Sequence, residues 1–581
     1  MKIGIDFGST YSTISKYNSI TDNVEALTSA EGAPASIPSV VSISKKGVIT
    51  CGHGAKEQVG KKSVRIYEAF KMLLNEPNQE MLHRRGYDDQ YSPRQITRIF
   101  LESTLHGMLK RESCNSIENI VICIPEIWGK KLNTLDGRAI LRDVLKKEID
   151  IPVNNIQVVT EPEAASAFIA YNYEKETKKD FNGHLLLIDY GGGTLDLTLT
   201  CVTSNGQGTM EIGYREGGGA GENHPNNRGS GAIGKAGIAY MQGVVLRALQ
   251  DQELLGDNDA VDYTDPEFVA AVKDLESQMK SVERIKDIED VFGEFGAYRN
   301  IRKIMDDEPI DFISIEYDGE EVTVTYQHLF EAYKEIIEPV LSEEINKINK
   351  LVEHHIGEDP CQPAAGVRDD FKIALVGGFS SFYLVKKQIA DIYNLDPNST
   401  IDLRVKNVSA DKQEQAISLG AALLAAGKVV LRKTARYSIG IYATGSDGRK
   451  RLFYGIRYHQ TVDTGKPYFL CFDDKNPDEP SNRVTYGALH GNIKTFAIEF
   501  TDRKNHGGLM NLKPEMLARL QRLPEEGFWN LGFSMDESDV ISFHIVPRPM
   551  PGMDTAKEGI VISLDSYSKM FDLTDVKEVT T

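Results

Sequence analysis

Twice in this chain an apolar strand ends on an aspartate, gives way to glycine and resumes on hydroxyl residues: "IGIDFGSTYST" at 3–13 and "LLLIDYGGGTLDLTLT" at 185–200. Asp6 and Asp189 stand at the strand ends. Gly8 opens the first turn, and Gly191, Gly192 and Gly193 form the second. Ser9, Thr10 and Tyr11 follow in one copy and Thr194 in the other. Glycine lets backbone approach a ligand without a Cβ in the way, and successive free N–H groups bind phosphate oxygens as a nest. The carboxylates would then hold Mg²⁺ through water. One such turn alone reads more readily as a plain hairpin; the pair reads as one shared nucleotide site. Neither turn has the G-x-x-x-x-G-K-[ST] or G-x-G-x-x-G pattern. A third glycine turn, "LVGGFSS" at 375–381, lies between an apolar strand and a helix. Gly377 and Gly378, with Phe379 and Ser381, would let a nucleoside lie against bare backbone, and a tight strand-to-helix turn accounts for them equally well.

Around these turns the hydrophobic period alternates between two and 3.6 residues. Residues 2–7 and 11–17 read as a strand pair and 37–50 as another hairpin. Residues 93–111 read as a helix with Ile96, Ile99, Phe100, Met108 and Leu109 on one face. Strand 119–125, helix 132–148, strand 156–161 and helix 163–176 follow, which is an α/β plan with a layered sheet. The plan restarts at Leu185, gains helices and a short hairpin between 235 and 325, and closes on a helix at 413–429. A length of 581 residues exceeds one core and suggests about four structural units. The expected division is 1–430, in halves of about 1–183 and 184–430, then a basic connector "KVVLRKTA". Residues 436–581 form a small antiparallel sandwich or barrel built from runs such as "YSIGIYA", "RLFYGIRY" and "VISFHIV".

The net charge of −19, from 66 basic and 85 acidic residues, argues against a nucleic-acid surface. It also means that a polyphosphate must be held locally, by backbone N–H groups, a few placed lysines and a cation. No apolar run approaches the ~20 residues of a membrane span, and no secretory leader is apparent. The six cysteines, at 51, 114, 123, 201, 361 and 471, include no C-x-x-C pair. They suggest reduced thiols and a cytoplasmic protein.

The set "IGIDFGSTYST", "VVTEPEAASAF", "LLLIDYGGGTLDLTL" and "IALVGGFSS" resembles the ATPase domain of the seventy-kilodalton heat-shock chaperones, the DnaK family, within the actin and sugar-kinase superfamily. The resemblance covers most of 1–430. It implies a duplicated actin-like (ribonuclease H-like) fold that binds ATP or ADP with Mg²⁺. It further implies Lys71 as the catalytic lysine and Glu161 as the residue that positions the attacking water. Asp6 and Asp189 become the magnesium-associated aspartates, and Thr10 and Thr194 contact phosphate. Glu283 and Lys286 resemble the adenosine-contacting pair, although "ERIK" also suits a solvated helix face.

Three stretches depart from the family pattern. In "REGGGAGENHPNNRGSGAIGKAG" (215–237), read as a long glycine-rich loop, Gly229 and Gly231 keep the backbone contact but Ala232 replaces an acidic residue. Ser381 stands where an arginine stacks on adenine. The connector lacks the family's acidic, leucine-rich character. The β-rich region is only faintly similar to the family's peptide-binding β-sandwich, and its helical lid is expected to be missing.

Three functions follow as expectations. The first is a slow ATPase and chaperone-like protein that binds unfolded or extended polypeptides under nucleotide control, with a J-domain protein and a nucleotide-exchange factor as potential partners. The second is a nucleotide-binding scaffold with little hydrolysis. The third, ranked last, is a small-molecule kinase of the same superfamily.

Overall fold

A computed structural model of the chain describes residues 1–28, 34–125, 137–204, 210–221, 236–256, 263–301, 308–356, 371–394, 415–472, 479–486, 495–499, 507–511, 528–536, 541–548, 559–565 and 577–578. Residues 62, 77, 264, 280, 433–434, 436–437, 445–448 and 458–459 within those ranges are excepted. The described fold is mixed α/β with several sheets. It divides into two compact units, residues 1–164 with 418–581, and residues 165–417.

In the first unit, β1 (Lys2–Asp6), β2 (Tyr11–Asn18) and β3 (Asn23–Leu27) form an antiparallel meander. On its other edge β1 pairs in parallel with β4 (Ile117–Ile124), which pairs in parallel with β5 (Val153–Thr160). Ile3, Ile5, Ile120 and Ile122 are buried, as near-continuous apolar strands covered on both faces should be. Helix α1 (Pro93–Arg111) starts on Ser92, whose hydroxyl accepts from the Gln95 N–H at 3.3 Å, with Pro93 in the first turn. It buries Ile96, Phe100, Leu101, Leu105 and Met108. Phe100 meets Phe7 at 6.0 Å and Phe70 at 5.6 Å between ring centroids, and Phe7 meets Phe70 at 5.9 Å. This aromatic trio anchors the residue after Asp6 and the residue before Lys71.

The second unit repeats the meander-plus-parallel-strand plan. Here β6 (Gly183–Tyr190), β7 (Thr194–Ser204) and β8 (Met210–Gly221) are antiparallel, and β6 pairs in parallel with β9 (Phe371–Val376). The sequence reading of 215–237 as a loop is corrected for its first part. Glu216 to Gly221 continue β8 opposite Leu199 to Thr194, because ladder bonds use only main chain and tolerate missing side chains. Gly229 and Gly231 lie outside the described residues. The core gathers Leu186, Ile188, Leu197, Tyr240, Phe292, Phe330 and Tyr333.

Returning to the first unit, α6 (Ala416–Ala426) is built almost wholly of Ala, Leu, Ser and Gly. Small residues let it lie directly on β1: a Cβ added at Gly4 would come within 2.2 Å of the Ala422 nitrogen and 2.4 Å of the Ser418 carbonyl oxygen. Ser15 and Ser418 share a hydroxyl–hydroxyl hydrogen bond of 2.7 Å, and the Asn119 amide donates to Ala425 O at 2.8 Å. Beyond α6, Val429–Arg432 is a strand, where the sequence suggested a plain connector. The chain then forms two further sheets. One has the order 450–456, 438–444, 495–499, 507–511, 577–578, and the other 468–469, 529–535, 541–547, 560–565, with 485–486 beside 529–535. Trp529, Leu531, Phe533, Phe543 and Ile545 are buried in the second of these.

Gly4→Val should therefore be costly beyond its added surface, since the obstacle is backbone on the facing helix. We expect a loss of about 3 kcal/mol or failure to fold, against about 1 kcal/mol for Ser418→Ala. Chemical denaturation measures both, and a Gly4→Val protein as stable as the parent would refute this packing.

Candidate functional site

Asp6 closes β1, and the register places it beside Cys123 of β4. Glu161 opens the helix that follows β5, α2 (Glu161–Thr177). The strand-to-helix junction is fixed by Glu163, whose Oε2 accepts from the Thr160 N–H and the Thr160 hydroxyl, both at 2.9 Å. A glutamate in the first turn reaching back to the residue before the helix is half of a capping box. Lys71 stands at the end of a reversal in which Ala69 takes a left-handed φ of 52°, ahead of the 3₁₀ turn Met72–Asn75. Buried Phe70, Leu73 and Leu74 hold that turn, and Lys71 itself is only 2% exposed.

These three elements bring Asp6, Lys71 and Glu161 together. The Lys71 ammonium donates to Glu161 Oε1 in a buried ion pair, 5.9 Å from the centre of the Phe7 ring. Burial and the nearby Glu161 charge push the Asp6 carboxyl up to about 7, against a lesser downward pull from Lys71. Burial and the same carboxylates also hold the Cys123 thiol in its neutral form. Once Asp6 ionises, above about pH 7, one ammonium near two carboxylates leaves a net negative charge at the end of β1, which suits a divalent cation. Among the described residues no group of three or more His, Cys, Asp or Glu side chains could hold a metal ion. A cation here would thus draw most of its ligands from water and from a bound phosphate.

In the second unit Asp189 is the penultimate residue of β6 and is 8% exposed. It is framed by the third glycine turn. Gly377 has φ 84°, and a Cβ there would fall 2.4 Å from Asp189 Oδ1, so both conformation and space require glycine. The Ser380 hydroxyl accepts from the Tyr190 N–H at 3.0 Å, tying this turn to the end of β6. Ser381 is exposed and its hydroxyl donates to Gly378 O at 2.8 Å, closing its own turn. Of the residues expected at the nucleoside turn, Phe379 directs its ring into the core. Phe379 is 8% exposed and packs on Tyr190, Tyr240 and Phe382. An aromatic ring in so short a turn gains most by joining the core behind it.

The glycine turn 191–193 abuts helix α3 (Gly237–Asp251). The Gly237 and Ile238 N–H groups donate to Gly191 O at 3.3 Å and Gly192 O at 2.8 Å. Across a trans peptide the carbonyl and the next N–H point opposite ways. The Gly192 and Gly193 N–H groups are therefore turned away from α3. Thr194 begins β7. Glu283 and Lys286 are exposed on α4 (Val282–Gly293), which starts on Ser281 as its cap. In the first unit Ser9 is half-buried and Thr10 exposed. Tyr11, 37% exposed, accepts from the Lys56 ammonium, which lies 4.6 Å from its ring centre. Lys56, Glu163 and Ser380 were not singled out from sequence. Only Glu163 left a local sign there, the T-x-x-E spacing of a capping box.

Taken together, the described fold is mixed α/β, with a glycine turn following the aspartate-bearing end of a strand in each unit. The chain is distantly similar to curated DnaK chaperones. It is 23% identical over 439 residues to the chaperone protein DnaK of Thermosipho africanus, covering 73% of this chain and 58% of that protein. It is 23% identical over 432 residues to that of Thermotoga maritima, covering 73% and 59%. The chain thus spans less than two thirds of the length of these relatives. No protein-family model matches it. Among the described residues no helix is long and apolar enough to cross a membrane.

The Asp6 environment predicts a stability signature. Its folded pKa lies above the ordinary 3.8, so the folded state keeps a proton that the unfolded chain has released. Stability then falls as pH rises from about 4 to about 7, and the penalty is fully present above 7. Without nucleotide, Asp6→Asn should be more stable than the parent by about 2 kcal/mol at pH 8, with the gap closing steadily between pH 7 and pH 4. Paired urea titrations across that range test this; a pH-independent gap would rule it out.

Proposed function

We propose that this chain is an ATP-hydrolysing, chaperone-like protein with a duplicated actin-like (ribonuclease H-like) ATPase domain over residues 1–430 and a β-sandwich over 436–581. The observation that carries the reading is the buried Lys71 ammonium paired with Glu161 at a helix start, with Asp6 at a strand end close enough to feel both charges. Burying a lysine costs several kcal/mol unless it is paired, and Glu161 alone meets that need, so a purely structural pair gives no reason for a second buried carboxyl group beside it. The distant similarity to DnaK chaperones supports the same reading.

In this reading the turns at Gly8 to Tyr11 and Gly191 to Thr194 hold the phosphates through main-chain N–H groups and hydroxyls. Gly377 and Gly378 give the nucleoside a bare surface, and Glu283 and Lys286 contact adenosine. Asp6 and Asp189 would hold Mg²⁺ through water, and the ion would neutralise charge on the phosphates. Hydrolysis then needs positioning and charge neutralisation more than covalent help: Lys71 offsets phosphate charge and Glu161 orients the attacking water. The sandwich would hold an extended polypeptide by main-chain hydrogen bonds and a few apolar pockets.

Single-turnover hydrolysis of Mg²⁺-ATP, with Lys71→Ala beside the parent, tests the assignment. The parent should turn over slowly. The variant should lose about 100-fold or more in rate while its affinity changes by less than about fivefold. Tight binding without turnover in either protein would replace this reading with that of a nucleotide-binding scaffold.

A further inference from the structure

The two glycine turns are braced from behind in different ways. The turn at 191–193 has its carbonyls pinned by the main-chain N–H groups of Gly237 and Ile238. The turn at 8–10 is pinned by one residue, Ser39, 31 positions away in sequence. The Ser39 hydroxyl donates to Gly8 O at 2.7 Å, and the Ser39 N–H donates to Thr10 O at 2.8 Å. Ser39 is 2% exposed and Ser12 is 1% exposed. Their hydroxyl oxygens are 2.9 Å apart. Gly8 O can only accept, so the single Ser39 proton is committed to it and Ser12 must donate to Ser39. The result is a directional relay from Ser12 through Ser39 to Gly8.

We infer that Ser39 is a positioning residue that aims the first phosphate turn. The geometry follows from peptide planarity. With Gly8 O and Thr10 O both drawn toward Ser39, the N–H groups of Ser9 and Tyr11 must point to the opposite side. Those are two of the donors that a phosphate would meet. A turn left to itself could rotate these peptides and turn its carbonyl oxygens toward the phosphate, where they would repel it. Ser39 removes that alternative from the nucleotide-free protein, so the ordering cost is met before the ligand arrives. The main-chain brace of the second turn cannot be removed by changing a side chain, whereas half of this one can.

This inference rests on reading the turn as a phosphate site, and the experiment separates the two. Affinities for ATP, ADP and adenosine are measured for the parent, Ser39→Ala and Ser39→Thr by competition against a fluorescent nucleotide, together with melting temperatures without ligand. Ser39→Ala should weaken ATP and ADP by about tenfold, the size of one lost hydrogen bond to the turn. Adenosine affinity should change by less than about twofold. Ser39→Thr, which keeps the hydroxyl, should recover most of the loss. A parent that binds no nucleotide would remove the phosphate reading and this inference with it. A parent that binds ATP while Ser39→Ala binds it equally well would remove the role of Ser39 alone. So would an equal loss for adenosine and ADP that tracks a lower melting temperature.

Discussion

The buried Lys71 ammonium is the constraint around which the first unit is organised. At 2% exposure it can stay charged only with carboxylates in place, and those come from elements far apart in sequence. Glu161 supplies the direct partner; Asp6 lies close enough for its carboxyl to feel both charges. The start of α2 and the reversal before Met72 are therefore mutually dependent, because displacing either leaves a buried charge uncompensated. The apolar structure answers to the same need. Phe7 and Phe70, the neighbours of Asp6 and Lys71, pack on each other and on Phe100 of α1, so core packing sets where the charges stand. The left-handed Ala69 is the local strain accepted to turn Lys71 inward.

That cluster is deliberately unbalanced. One cation cannot neutralise two carboxylates, and burial at the strand end, followed by the Glu161 charge, raises the Asp6 pKa. Buried charge of this kind lowers stability, a cost that the proposed cation would offset. In the second unit Asp189 is close-packed against the Gly377 turn, and Ser380 bonds the main chain of Tyr190 directly behind it. The two aspartates thus occupy equivalent positions in the two sheets and are held by different means, one by charge and aromatic packing, the other by turn geometry. Equivalence of place with divergence of support is what one expects when main chain at the end of a strand, rather than any one side chain, defines the useful position.

Much of this was legible in the sequence, and the boundary between what was and was not has a physical origin. The two Asp–Gly hairpins, α1 and the strand–helix units are local patterns, since periodicity and turn chemistry act over a few residues. Lys71 and Glu161 pair and Asp6 lies near them, although spacing alone gives no reason for residues 90 apart to meet. The turn alone did not say which way the Phe379 ring faces, because Tyr190 and Tyr240, which receive it together with nearby Phe382, come from other segments. The stretch before Gly221 was misread because glycine content signals a loop, while the ladder with β7 asks only for main chain. Ser39 left no trace in the sequence at all. Its partners are carbonyl oxygens, which are alike at every residue, and only the fold brings them to it.

The dependence of the site on distant sequence goes one step further through α6. Its stretch of small residues is the condition for close approach to β1, and Gly4 is the matching absence on the strand. Because Ala422 and Ser418 would collide with even a Cβ at Gly4, strand and helix share one surface with no slack between them. Ser15 to Ser418 and Asn119 to Ala425 add hydrogen bonds on either side, so neither sliding nor rotation of the helix is free. Two residues beyond Gly4 the strand ends at Asp6; three residues beyond Ala426 the chain enters the strand Val429–Arg432. A contact this tight behaves as a rigid link, since interiors packed to crystal density shift as units or not at all. The carboxylate end of β1 and the path into the C-terminal sheets are consequently held by the same few atoms.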